Sequence, residues 1–259
     1  MRLWKDAEQA ELRAFAIDPH STLAVLSLLN TRLNGTGDID SARRAFDGFP
    51  EDVKGRLIGQ FLGQRGQGGG SNLTFFLGMP VYLDVIQKRF TDAFQAFEKQ
   101  IVNNDREHLD HLAGRVILCV LAGQSDGAKS TGEEALPLLE ARLKEQPDDA
   151  LAMMELSWVY LALGRNADAI RVSKQAADLM SVEKDAVAGP SFQNGLAQIE
   201  ARAGAPEEAI KRLRHLLSTP AGGVASIARL KIDTVWDPIR NRPDFQKLLL
   251  GPEQIGPGK

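Results

Sequence analysis

Along ALAMMELSWVYLALGRNADAIRVSKQAADL, residues 150–179, apolar positions recur at helical spacing. Leu151, Met154, Trp158 and Leu161 fall three or four apart, as do Ile170, Ala177 and Leu179 with small Ala169 and Ala176 between them. That period is an amphipathic helix's, and Gly164 separates two such stretches, so the segment predicts a helical hairpin. The same phase returns downstream at Leu196, Ala197, Gly204, Ala209 and Leu213, with Glu200 where an aromatic residue stands in the first copy. Upstream it is read at Gly37, Ala42 and Phe46, at Ala93 and Phe97, and at Ala135, Leu139 and Pro147. The step from Ala135 to Ala169 is 34 residues, that from Ala169 to Ala209 is 40, and that from Ala93 to Ala135 is 42. Loop insertions account for the drift. Ala7, Ala14 and Pro19 sit at the offsets of a second helix with no first helix before them, so the chain is expected either to begin on a lone capping helix or to be a piece of something longer.

The clearest hairpin resembles a tetratricopeptide repeat through Met153, Leu156, Ser157, Tyr160, Gly164, Ala169 and Ala176. In that pattern small residues let paired helices cross closely, an aromatic fills the wedge and glycine takes the left-handed turn. From Gly164 to Leu249 the chain is similar to the C-terminal tetratricopeptide arrays of bacterial adenylate or guanylate cyclase, serine/threonine kinase and winged-helix regulator proteins. Its tail matches theirs at Leu230, Asp233, Trp236, Asp237, Pro238, Arg240, Pro243 and Phe245, and departs at Thr234, Arg242 and Asp244. The resemblance implies an all-α fold: a right-handed α-solenoid of about six tetratricopeptide-like helical hairpins closed by a C-terminal capping tail. Residues 1–105 are expected to hold degenerate N-terminal hairpins with a Gly-rich connector at 63–72, residues 106–223 the clear hairpins, and residues 224–259 the cap. A solenoid's last hairpin has an uncovered apolar side. Trp236 and Phe245 are expected to cover it, held against the 206–218 helix by turns at Pro238 and Pro243.

Composition narrows the function classes. The 259 residues are 43% hydrophobic and 25% charged, an ordinary globular mixture. With 31 Lys plus Arg against 34 Asp plus Glu, the net charge of −3 supplies no field for nucleic acid. The lone Cys119 excludes an internal disulfide and reads as a core residue. Charges at Arg2, Lys5, Asp6, Glu8, Glu11 and Arg13 interrupt any secretory signal, and the longest apolar run, at 116–122, is too short to cross a bilayer. The expectation is a cytoplasmic chain with no direct membrane insertion, or a periplasmic one if it is a fragment of a membrane-anchored protein.

Four segments imitate chemistry. Gly123 to Ser130 misses a phosphate-binding loop by having Ala128 before Lys129, where a methyl would crowd the anion. The overlapping GQSDG matches a nucleophile elbow around Ser125, with His215 later in the chain. Both need strands that the helical period leaves no room for, so the segment is expected to be a lengthened turn between helices at 106–122 and 132–146. His108 and His111, near Glu107 and Asp110, fall short of a zinc ligand set. GQRGQGGGSN at 63–72 lacks dinucleotide spacing. No cofactor, metal or catalytic residue is expected. The functional expectation is a scaffold binding a peptide, a partner helix or its own effector domain. The first helices would line a groove with Leu151, Met154, Trp158 and Leu161, then Ser191, Asn194, Gln198 and Arg202. An alternative for Met154 and Trp158 is packing between neighbouring hairpins. The rival function is a nucleotide-binding or serine-hydrolase enzyme built on Gly123–Ser130.

Overall fold

Five tight turns organise the chain. A computed structural model describes residues 3–59, 72–219 and 225–251. Among these residues the regular structure is entirely helical, with no strand. The helices are α1 (Trp4–Ile17), α2 (Thr22–Gly35), α3 (Ile39–Asp47), α4 (Glu51–Gly59), α5 (Asn72–Leu77), α6 (Met79–Ile86), α7 (Phe90–Phe97) and α8 (Asp105–Leu121). They continue as α9 (Ser125–Glu145), α10 (Ala150–Ala162), α11 (Asn166–Leu179), α12 (Gly189–Arg202), α13 (Pro206–Ser218) and α14 (Ile227–Ile232). A 3-10 turn (Thr234–Trp236) and α15 (Pro243–Leu250) follow. The Gly-rich connector falls outside the described residues except for Asn72, which opens α5.

Hairpins α2/α3, α6/α7, α8/α9, α10/α11 and α12/α13 each turn on one residue of positive φ: Gly37 (69°), Lys88 (58°), Gly123 (70°), Gly164 (73°) and Gly204 (89°). Five residues after each comes a buried alanine, Ala42, Ala93, Ala128, Ala169 or Ala209, where the second helix crosses the first. In four of the five turns the next amide bonds the carbonyl five residues back. Arg89 donates to Asp84 (2.8 Å), Gln124 to Cys119 (2.9 Å), Arg165 to Tyr160 (2.8 Å) and Ala205 to Glu200 (2.9 Å). This closes the helix end in the way a left-handed C-terminal residue allows. A Cβ added at Gly123, Gly164 or Gly204 would meet nothing within 4 Å, so backbone conformation rather than space selects glycine there.

Lys88 holds the same conformation with a side chain. Relief of about 1–2 kcal/mol of left-handed strain outweighs the extra unfolded-state entropy of glycine, about 0.5–1 kcal/mol. The Lys88–Asp237 pair (3.2 Å) is exposed and contributes little. Lys88→Gly is therefore expected to raise unfolding free energy by about 0.5–1 kcal/mol in urea titration; a loss of stability would contradict the strain.

The third hairpin corrects the sequence register. The alanine five residues after its turn is Ala128, not the equally buried Ala135, and Ala128 to Ala169 spans 41 residues. The segment after Gly123 is not a lengthened turn either, because α9 begins at Ser125. The small residues Gly127 and Ala128 let α8 and α9 approach: a Cβ on Gly127 would lie 3.3 Å from the Cys119 sulfur. The polar string that looked like a loop is the solvent face of a helix.

One hydrophobic core runs from Val25 to Leu249. Every residue of α6 is buried, and α10 is nearly apolar all round, which places both in the interior. Helix α10 packs on α8, α9, α11 and α12, while α5 lies against α8 and α12. Helix α1 packs on α2, where Arg32 bonds Glu8 (2.8 Å). In the tail, Trp236 and Phe245 are both buried with ring centres 6.4 Å apart, and α15 packs on α13 as the sequence leads one to expect. The first part of the tail goes further than a cap, since α14 packs on α2 and the 3-10 turn on α12.

Candidate functional site

Counting six residues back from each turn gives Thr31, Tyr82, Ile117, Trp158 and Gln198, one per first helix, and all five are buried. The row is therefore interior. Of the residues expected to line a groove, Met154, Trp158, Asn194 and Gln198 are at most 2% exposed. Leu151, Leu161, Ser191 and Arg202 are half-buried. The structure brings the two stripes onto neighbouring helices α10 and α12, but in this conformation neither is open to a partner. The physical reason is that α5 and the tail lie across α12, and that α10 is enclosed by four helices.

The cover over α12 is polar as well as apolar. Tyr82 donates its hydroxyl to the Asp233 carboxylate (2.8 Å) and accepts from Arg229 Nε (2.7 Å), whose guanidinium also lies 4.4 Å from the ring centre. Arg202 Nη2 donates to the Thr234 carbonyl (3.1 Å), and the Val235 amide donates to Asp233 Oδ1 (3.1 Å). Arg240 bonds the carbonyls of Lys231 (2.8 Å) and Asp233 (2.5 Å), closing the C-terminal end of α14. Burial pushes the Asp233 carboxyl up, against the lowering charge of Arg229, and pushes the Tyr82 hydroxyl well up. Burial also pulls Arg202 down to about 10, with Asp233 and Asp237 opposing the change. Among the described residues no partner reaches either side-chain amide atom of Gln198, Nε of Arg202 or Oγ1 of Thr234. These atoms are hydrogen-bonding capacity that the tail leaves unused.

Sequence reasoning missed Tyr82 and Arg229, and it took Asp233, weighed with Asp237, Asp244 and Arg240 as a carboxylate cluster, for a solvated turn former, whereas Asp233 is buried. The signal for Tyr82 was its place eleven residues before Ala93, the spacing that separates Trp158 from Ala169 and Gln198 from Ala209.

A second polar cluster joins α8, α9 and α10. Asp149 caps α10 by accepting from the Ala152 amide (3.0 Å) and pairs with Arg142 (2.6 Å) and Arg106 (3.3 Å). Burial alone would raise its carboxyl, but those hydrogen bonds and positive charges bring it below its ordinary value. Its contribution is thus present above the unfolded-state value of 3.8 and lost as pH falls through the lower folded one. Asp149→Asn keeps a capping oxygen and loses the charge. It is expected to cost about 1–2 kcal/mol at neutral pH, the difference closing in acid; a pH-independent difference in chemical denaturation would rule out the ion pairs as its source.

The sequence's other candidates are scattered. Ser125 opens α9, and Ala128, Lys129 and Ser130 lie within it, so Gly123–Ser130 is a turn and the start of a helix, without the preceding strand a phosphate loop or elbow requires. His215 lies on α13, in another hairpin. His111 stacks on Phe97 (ring centres 4.5 Å apart), and its imidazole is pulled down chiefly by burial, while His108 is exposed. No three His, Cys, Asp or Glu residues among those described are grouped to hold a metal. Cys119 is buried, and burial pushes its thiol up, away from nucleophilic character. No described helix is long and apolar enough to cross a membrane. No protein-family model matches the chain, and no curated protein matches its sequence.

Proposed function

We propose that the chain is a non-catalytic protein-interaction module of stacked helical hairpins, a tetratricopeptide-like solenoid whose first-helix face accepts a peptide segment. One observation supports this reading: the chain's own residues 226–236 lie against first helices, bonded to Tyr82 and Arg202. The polar stripe of Asn194, Gln198 and Arg202 supplies recognition, while Met154, Trp158 and Leu161 support it from the neighbouring hairpin. A partner segment, or a segment of the module's own effector domain, binds by replacing residues 226–234 and using the amide of Gln198 that the tail leaves idle. A regulatory or sensing role in bacterial signalling follows from the resemblance of the C-terminal half.

The test is to pan the intact protein against a random peptide library, titrate enriched peptides calorimetrically, and follow hydrogen exchange at 226–236. Binding at roughly micromolar Kd, with faster exchange in that segment and about tenfold weakening in Gln198→Ala protein, is the expected outcome. Failure to enrich any peptide, together with turnover of a nucleotide or ester that disappears in Lys129→Ala or Ser125→Ala protein, would replace this reading with an enzyme.

A further inference from the structure

We infer that the notch between α13 and α15 is a second docking surface, one that receives an acidic, leucine-bearing segment of a partner protein. The inference rests on the reading of the chain as an interaction module. It starts from charge. A chain carrying 34 acids and 31 bases gathers Lys211, Arg214 and Lys247, with His215 beside them, around one cavity of about 650 Å³. Positions 211, 214, 215 and 218 are spaced by three, four and seven along α13 and so share one face of it, and Lys247, Leu248 and Gly251 supply the opposite wall.

These cations have little else to do. Lys211 lies 4.0 Å from Glu208 with both side chains exposed. Among the described residues no carboxylate pairs with Arg214 or Lys247. Other arginines behave differently: Arg165 and Arg171 share Asp168, and Arg212 bonds Glu200. Lys247 stands in the last turn of α15, where its charge also suits the helix end, but several end carbonyls are bonded by other groups. The His215 carbonyl accepts from Ser218 Oγ (2.7 Å), that of Leu216 from Thr219 Oγ1 (3.2 Å) and that of Leu248 from the Gly251 amide (3.4 Å). Partly buried Leu248 and the edge of buried Leu217 supply the apolar part of the lining. A wall of separated ammonium and guanidinium groups around leucine side chains complements carboxylates interspersed with an aliphatic residue. The cavity is also within the size that holds a few side chains.

The probe is a fluorescein-labelled peptide, Glu-Glu-Leu-Glu-Asp-Leu-Glu, titrated by anisotropy into the intact protein at low and high salt. Binding is expected to weaken with salt, and to weaken at least about tenfold in Lys211→Glu/Arg214→Glu/Lys247→Glu protein. A matched reversal on α9 and α11, Lys129→Glu/Lys144→Glu/Lys174→Glu, is expected to cost less than about threefold. Circular dichroism monitors folding. Should the triple variant lose helicity, Arg214→Ala alone is expected to weaken binding about threefold with helicity kept. Equal weakening by both charge reversals, absence of binding to the native protein, or tighter notch-dependent binding of duplex DNA or anionic vesicles than of the peptide would overturn the inference. Library peptides that engage the first-helix face while the acidic probe fails would overturn this surface alone; failure at both surfaces would overturn the module reading too.

Discussion

Alanine at position 158 is expected to lower the unfolding free energy by about 3–5 kcal/mol, the cost of emptying a buried aromatic site. Trp158 is 0% exposed at the centre of α10, with helices on all sides of it. Set against a total stability of about 5–15 kcal/mol for a folded chain, that loss is large enough to read directly from urea denaturation. Among the described residues no acceptor reaches Nε1, so the cost is apolar contact and cavity rather than a lost hydrogen bond. Trp158→Phe, which keeps a ring, is accordingly expected to cost only about 1–2 kcal/mol. A groove-lining tryptophan would behave in the opposite way, with stability kept and partner affinity lost. A change below about 1 kcal/mol for Trp158→Ala would therefore return the residue to a binding surface.

The reason the sequence left Trp158 between these two roles lies in α10 itself. A period of three to four identifies a helix, but a helix that is apolar all round shows no single face, so the pattern cannot say which side meets solvent. Turn chemistry was more legible. Gly37, Gly164 and Gly204, with alanines five residues later, mark three of the five hairpins because positive φ and close helix crossing restrict residue type. Lys88 takes the same conformation without the glycine that would announce it, which hid the phase of Tyr82. At Gly123 the turn was visible, yet the Ser-Asp-Gly-Ala-Lys-Ser string resembles a loop in composition, and the register slipped seven residues to Ala135. The burial of the tail's Trp236 and Phe245 could be read from local turns. Its polar contacts could not: Tyr82 and Asp233 are 151 residues apart, and no periodicity links them.

Asp233→Ala is the second large effect, expected at about 3–5 kcal/mol. The substitution removes the acceptor of the Tyr82 hydroxyl and of the Val235 amide, and the negative charge beside Arg229 and Arg202, all in a buried setting. Asparagine separates these losses, since its amide oxygen can still accept from Tyr82 while the charge is gone. Burial holds the folded carboxyl above its unfolded value of 3.8. The carboxylic acid's contribution is therefore complete below that value and declines as pH rises through the folded pKa. Native stability relative to Asp233→Asn protein should fall with rising pH and then level off, the reverse of the Asp149 pair. Combining Asp233→Ala, which removes the acceptor, with Tyr82→Phe tests whether the two act together. A coupling of about 1–2 kcal/mol is expected if the hydroxyl–carboxylate bond holds the tail onto α6. Strict additivity, with no change in hydrogen exchange at 226–236 in either single variant, would mean that Trp236 and Phe245 fasten the tail without it.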